Sequence, residues 1–110
     1  MNHEELDLLQ GTLDLIVLKA LIWGPLHGYE VARWVSETTK DDLRVEEGAL
    51  YTALHRMEGR GWLDAEWGLS ENNRKAKFYR LTSDGRRQLR LESARWTRYA
   101  RAIFRVLRTA

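Results

Sequence analysis

The sequence contains no cysteine, one proline, and no apolar run long enough to cross a bilayer. Without cysteine there is no disulfide scaffold, thiolate zinc site or cysteine nucleophile, which excludes a disulfide-stapled secreted mini-protein. The longest apolar stretch, Leu13 to Trp23, is broken by Asp14 and Lys19. The N-terminus is acidic where a signal peptide would be basic. No membrane partner is expected, and the cytoplasm is the compartment that suits this composition. Histidine is also scarce: His3, His27 and His55 lie far apart in the chain. A lone histidine lacks a metal-ligand set, and no serine stands in a nucleophile motif. The expectation is therefore no catalytic residues, no metal and no cofactor.

What is present is a chain of 110 residues, 44% hydrophobic and 31% charged, the balance of one soluble domain rather than a disordered segment. At this size a core forms, but stability is limited unless subunits share surface. The net charge of +2 hides an asymmetry: residues 1–66 carry 6 Lys+Arg and 13 Asp+Glu, residues 67–110 carry 12 and 3. A basic back half attracts polyanions, so nucleic acid becomes a candidate partner. From charge alone, a long Arg-rich helix kept soluble by its arginines accounts for the pattern equally well.

Apolar residues at Leu9, Leu13, Ile16, Val17, Ala20 and Leu21 recur at helical spacing, predicting a first helix from Leu8 to Trp23 that Gly24-Pro25 terminates. A short turn precedes a second helix over about His27 to Thr38. A third covers about Glu46 to Arg60, with Leu50, Ala53, Leu54 and Met57 inward and Gly61 as a left-handed stop. The pattern then alternates over Trp62–Trp67 and Lys75–Leu81, two arms of a β-hairpin joined by a polar loop from Gly68 to Arg74. Thr82 caps a last helix running to about Arg108, with Asp84 in its first turn, although Gly85 stands where a capping box has glutamate. The fold class is mainly α with a small hairpin: a winged helix-turn-helix over residues 1–82 and a long C-terminal dimerisation helix over 83–110.

In such a fold the third helix enters the DNA major groove and the hairpin is the wing. Burying Leu50, Leu54 and Met57 turns Gly48, Thr52, His55 and Gly59 outward and leaves Tyr51, Arg56 and Glu58 on the flanks. Tyr51 and His55 offer hydrogen bonds and stacking, Arg56 suits phosphate or guanine, and Gly48 allows close approach. Glu46, Glu47 and Glu58 repel DNA if they face it. At the hairpin tip Asn72, Asn73, Arg74, Lys75 and Lys77 concentrate amides and cations suited to phosphate or minor-groove contact. A solvated polar helix face and a solvated basic loop are the competing readings.

Several segments together resemble the PadR family of bacterial transcriptional regulators, particularly its short members with one C-terminal helix. They are Leu8-Leu9-Gln10-Gly11-Thr12-Leu13, Gly24-Pro25-Leu26-His27-Gly28-Tyr29, Glu47-Gly48-Ala49-Leu50-Tyr51, Arg60-Gly61-Trp62-Leu63 and Glu71-Asn72-Asn73-Arg74 through Thr82. The resemblance implies a homodimeric repressor on double-stranded DNA, the first and last helices forming the dimer and the third helix with the wing contacting the operator. On that basis Tyr51 matches the tyrosine of the recognition helix, and Arg74, Lys75 and Lys77 match the basic wing. Ala49 stands where the family commonly has Thr or Ser, and Thr52 where proline often follows the tyrosine. The hydroxyl missing at Ala49 thus has a different counterpart at Thr52.

For the dimer, Leu9, Leu13 and Ile16 of the first helix are expected to meet a seam on the last. There Leu89, Trp96 and Ile103 repeat every seven residues, with Ala100 and Leu107 four after the latter two. Paired Trp96 indoles could sandwich a small flat aromatic effector, plain interface packing being the alternative. A protein-interaction module without specific DNA binding is the competing function, favoured by the acidic Glu46-Glu47 start of the third helix.

Overall fold

The structure, a computed structural model, describes residues 11–110. The order is α1 (Thr12–Ala20), β1 (Leu26–His27), α2 (Gly28–Thr38), α3 (Glu47–Gly59), β2 (Leu63–Leu69), β3 (Lys75–Leu81) and α4 (Ser83–Leu107). Each boundary has a local cause. Helix α1 starts at Thr12, with Gly11 before it at φ 86, a left-handed conformation that glycine tolerates; the expected start from Leu8 lies outside the described residues. It also ends before Trp23: Leu21, Ile22 and Gly24 bond three residues back, to Leu18, Lys19 and Leu21, in tighter turns. His27 and Glu30 close a capping box on α2, each side chain accepting from the other's backbone N–H. At the end of α3, Gly61 takes φ 80, its N–H bonds the Glu58 carbonyl, and the Trp62 N–H bonds that of Met57. These two bonds make the Schellman stop that glycine permits.

Thr82 caps α4 by accepting from the Gly85 N–H at 3.0 Å, and its hydroxyl also donates to the Gly61 carbonyl at 2.7 Å. Gly85 is buried against the carbonyl of Trp62, a docking that fixes where α4 leaves the sheet. The hairpin pairs Leu63 with Leu81 and runs to Leu69 opposite Lys75, so the strand extends two residues into the expected loop. One strand goes beyond the expected elements. Leu26 and His27 pair with Tyr79 and Phe78, giving an antiparallel sheet in the order β1-β3-β2. Two residues are too few to show an alternating pattern in sequence.

The core joins Val17, Leu18 and Leu21 of α1, Val31 and Val35 of α2, Leu50, Leu54 and Met57 of α3, Leu63 of β2 and Leu81 of β3. Each fully buried leucine among them contributes about 2 kcal/mol by leaving water. The first turns of α4 join this core through Leu89, which is 5% exposed. From Arg101 onward every residue of the helix is exposed, including Ile103, Phe104, Val106 and Leu107. At about 1.5 Å per residue, the 25 residues of α4 span roughly 37 Å, enough to overhang the domain.

Candidate nucleic-acid interface

The outward face of α3 carries Gly48, Ala49, Thr52 and His55, all exposed, with Tyr51 beside them at 46% exposure. Leu50, Ala53, Leu54 and Met57 on the opposite face anchor the helix in the core, so its azimuth is set by burial. Tyr51 leans on the start of α2. Its ring edge and hydroxyl cover Gly28, a seat that the spacing within α3 could not reveal. The N-terminal amides of α3 are already occupied: the Glu46 carboxylate accepts from Gly48 at 3.0 Å and Ala49 at 2.9 Å. Gly48 also leaves room for that carboxylate, whose oxygen would lie 3.1 Å from an added Cβ.

Those two N–H donors hold the Glu46 carboxyl below the usual glutamate range. A lowered folded value means a stabilisation that is complete above the unfolded glutamate's titration and lost as pH falls through the folded one. The stability difference between wild type and Glu46→Gln should therefore be largest near neutrality and shrink in acid, as urea unfolding at pH 7 and pH 3 would register. A difference constant with pH would assign the effect to something other than the charge.

Two cations expected at the interface are each paired within the chain. Arg56 forms a two-pronged bond to Asp14 of α1, 2.7 Å on each prong, and that carboxylate makes the guanidinium hold its proton more tightly. Lys77 bonds Glu58 of α3 at 2.9 Å and lies under the influence of Tyr79, whose phenol burial pushes upward. Lys77, two residues from the tip end of β3, thereby ties the wing to the end of α3, and Glu58 is paired with a cation.

The wing tip keeps its cations. Ser70 and Asn73 close the turn through a bond between the Asn73 N–H and the Ser70 carbonyl at 2.9 Å, and Asn73 takes φ 59, a conformation asparagine tolerates. Asn72, Asn73, Arg74 and Lys75 are exposed there; Lys75 sits 5.1 Å over the Trp67 ring, while the Arg74 side chain has no partner among the described residues. The structure thus brings together an outward α3 face and a basic tip, joined by the Glu58–Lys77 bond.

Residues expected at the dimer divide. Leu89 is buried in the core of the chain and is not exposed on α4, because the first turns of α4 pack on α1 and the sheet. Leu13 and Ile16 are half-buried against that core, and Trp96 and Ala100 are half-buried on α4. Ile103 and Leu107 are exposed at 41% and 72%, while Leu9 lies outside the described residues. Trp96 stacks on Tyr99 with ring centres 5.5 Å apart and borders a groove of about 460 Å³ between α1 and α4, lined also by Leu15, Glu92 and Arg95.

Three helices, a three-stranded sheet with a basic hairpin tip and a projecting last helix define a DNA-binding winged helix-turn-helix. The model of the transcriptional regulator PadR-like family matches residues 17–91, and the chain belongs to that family. An uncharacterized protein of Lysinibacillus sphaericus is 31% identical over 83 residues, 76% of either chain. Among solved structures, a transcriptional regulator from Clostridium thermocellum superposes with a TM-score of 0.79 at 27% identity, covering 87% of this chain and 90% of that one. A PadR family regulator from Eggerthella lenta gives 0.77 at 30% identity over 92% and 86%. Bacillus subtilis PadR, solved with operator DNA, shares the fold at a TM-score of 0.66 and 21% identity over 74% of this chain and 46% of that chain.

Proposed function

We propose that this chain is a sequence-specific transcriptional repressor that acts in the cytoplasm as a homodimer on a two-fold symmetric operator. The observation that carries the reading is the exposed face of α3, with Tyr51, Thr52 and His55 beside a wing tip whose Arg74 has no partner among the described residues. In this reading residues 1–82 are the DNA-binding unit. Two copies of α3 enter successive major grooves about 34 to 36 Å apart while the wings grip flanking backbone. Tyr51, Thr52 and His55 read base edges, Gly48 and Ala49 let the helix start approach, and Asn72, Asn73, Arg74 and Lys75 hold phosphate or the minor groove. The operator complex of Bacillus subtilis PadR supports DNA as the partner. The uncovered apolar end of α4, with Ile103 and Leu107, supports a second copy as the other partner, with 83–110 as the dimerisation helix. Trp96 and Tyr99 offer a flat aromatic effector a stacking surface at that junction.

Fluorescence anisotropy on the protein's own upstream DNA and on a scrambled duplex, at about 50 and 200 mM salt, tests the reading. A preference of roughly 10³ or more is expected. Binding to neither duplex, together with a stable protein partner, would transfer the function to a protein-interaction module. Arg74→Ala should weaken both duplexes and lower the salt slope by about 0.9 for each phosphate no longer neutralised, whereas Arg56→Gln should leave the slope unchanged because its charge is spent on Asp14. A slope that responds to Arg56 and not to Arg74 would reverse that assignment.

A further inference from the structure

We infer that Gly28, the first residue of α2, is a positioning residue for DNA reading: by having no side chain it seats the Tyr51 ring in one orientation on the face of α3. The inference rests on the function proposed above and adds to it a residue outside both α3 and the wing. A Cβ added at Gly28 would lie 2.8 Å from Cε1, 2.9 Å from Cζ and 2.9 Å from the hydroxyl oxygen of Tyr51. Carbon atoms in contact sit about 3.5–4.0 Å apart, so ring and methyl cannot share the space. The atoms met are the far edge and hydroxyl of the ring.

Glycine is not demanded here by the backbone. The described glycines at positive φ are Gly11, Gly24 and Gly61, and Gly28 is an ordinary helical residue where alanine is the better helix former. Space for the ring is what the missing side chain provides. Because Tyr51 is 46% exposed, a methyl would drive the ring toward solvent without opening the core. The expected lesion is thus one of recognition, in a protein that still folds. Tyr51 spans the gap between α2 and α3, over a small cleft of about 150 Å³ bordered by Ala32, Val45 and Leu50. Displacing it leaves the wing cations and their phosphate contacts as they were.

The test is a double-mutant cycle on full-length protein, with Gly28→Ala, Tyr51→Ala and the double variant. The probes are a duplex selected from random sequence by the wild-type protein and a scrambled duplex of equal length, and the readouts are the specific-to-non-specific affinity ratio, the salt slope and Tm. Gly28→Ala should lower the ratio about tenfold, the lower end of what one base contact discriminates, with the slope unchanged. In the Tyr51→Ala background the same change should leave the ratio within about twofold and raise Tm, since alanine then favours the helix without meeting a ring. An equal loss in both backgrounds, or no loss in the wild-type background, overturns the inference while the proposed function stands. A Tyr51→Ala protein that keeps the full ratio overturns both the inference and base reading by Tyr51, and failure to select any duplex overturns specific binding altogether. Should Gly28→Ala alone fail to fold, the double variant must fold, and its failure would also overturn the inference.

Discussion

Gly85→Ala should cost about 3 kcal/mol of stability and lower Tm by roughly 10–15 °C at fixed protein concentration. The added Cβ would stand 2.0 Å from the carbonyl oxygen of Trp62, less than any non-bonded carbon and oxygen can tolerate. A flexible side chain could swing aside, but this obstacle is backbone, and the same oxygen accepts the Thr82 N–H at 3.1 Å. Relief therefore requires α4 to lift from the sheet, breaking the Thr82 cap and withdrawing Leu89 from the core. Against a typical total of about 5–15 kcal/mol, that loss is large. Differential scanning calorimetry measures it directly, and a Tm within about 2 °C of wild type would mean that α4 docks with more freedom than the packing implies.

Tyr51→Ala should weaken binding to a specific operator about 10- to 100-fold while changing affinity for scrambled DNA by less than about threefold. The asymmetry follows from the separation of roles at the interface. Non-specific affinity comes from cations and phosphates, and none of the exposed cations at the wing tip depends on the Tyr51 ring. Tyr51→Phe divides the effect between hydroxyl and ring: retention of most specificity would assign the contact to stacking. Equal losses of Tyr51→Ala on both duplexes would remove Tyr51 from base reading.

Features with local causes were legible in the sequence. Thr82 as a cap, Gly61 as a left-handed stop and the outward positions of Thr52 and His55 depend on residues within one or two turns, which periodicity and capping preferences describe. Features created by distant partners were not. Arg56 and Lys77 look in sequence like any interface cation, because nothing local marks Asp14, 42 positions away, or Glu58, 19 positions away, as their partners. Gly85 resembles an imperfect capping box in sequence, whereas its reason is the Trp62 carbonyl across the domain. Gly28 reads in sequence only as the start of the second helix, and only the placement of α2 against α3 makes it a seat for Tyr51. Leu89 falls on a heptad in sequence yet lies in the core of the chain, a distinction no spacing carries. Glu46 stands out in sequence only as an acid that repels DNA, whereas the structure makes it the cap of α3.

The two-pronged bond between Asp14 and Arg56 has a thermodynamic consequence for binding. A planar guanidinium meeting a carboxylate on two atoms adds a polar tie between α3 and α1 to the buried apolar face that sets the rotation of α3. In the proposed complex, α3 would thus have surrendered part of its freedom when the chain folded, before DNA arrives. Association then has less motion left to freeze, and more of each contact's enthalpy is retained in affinity.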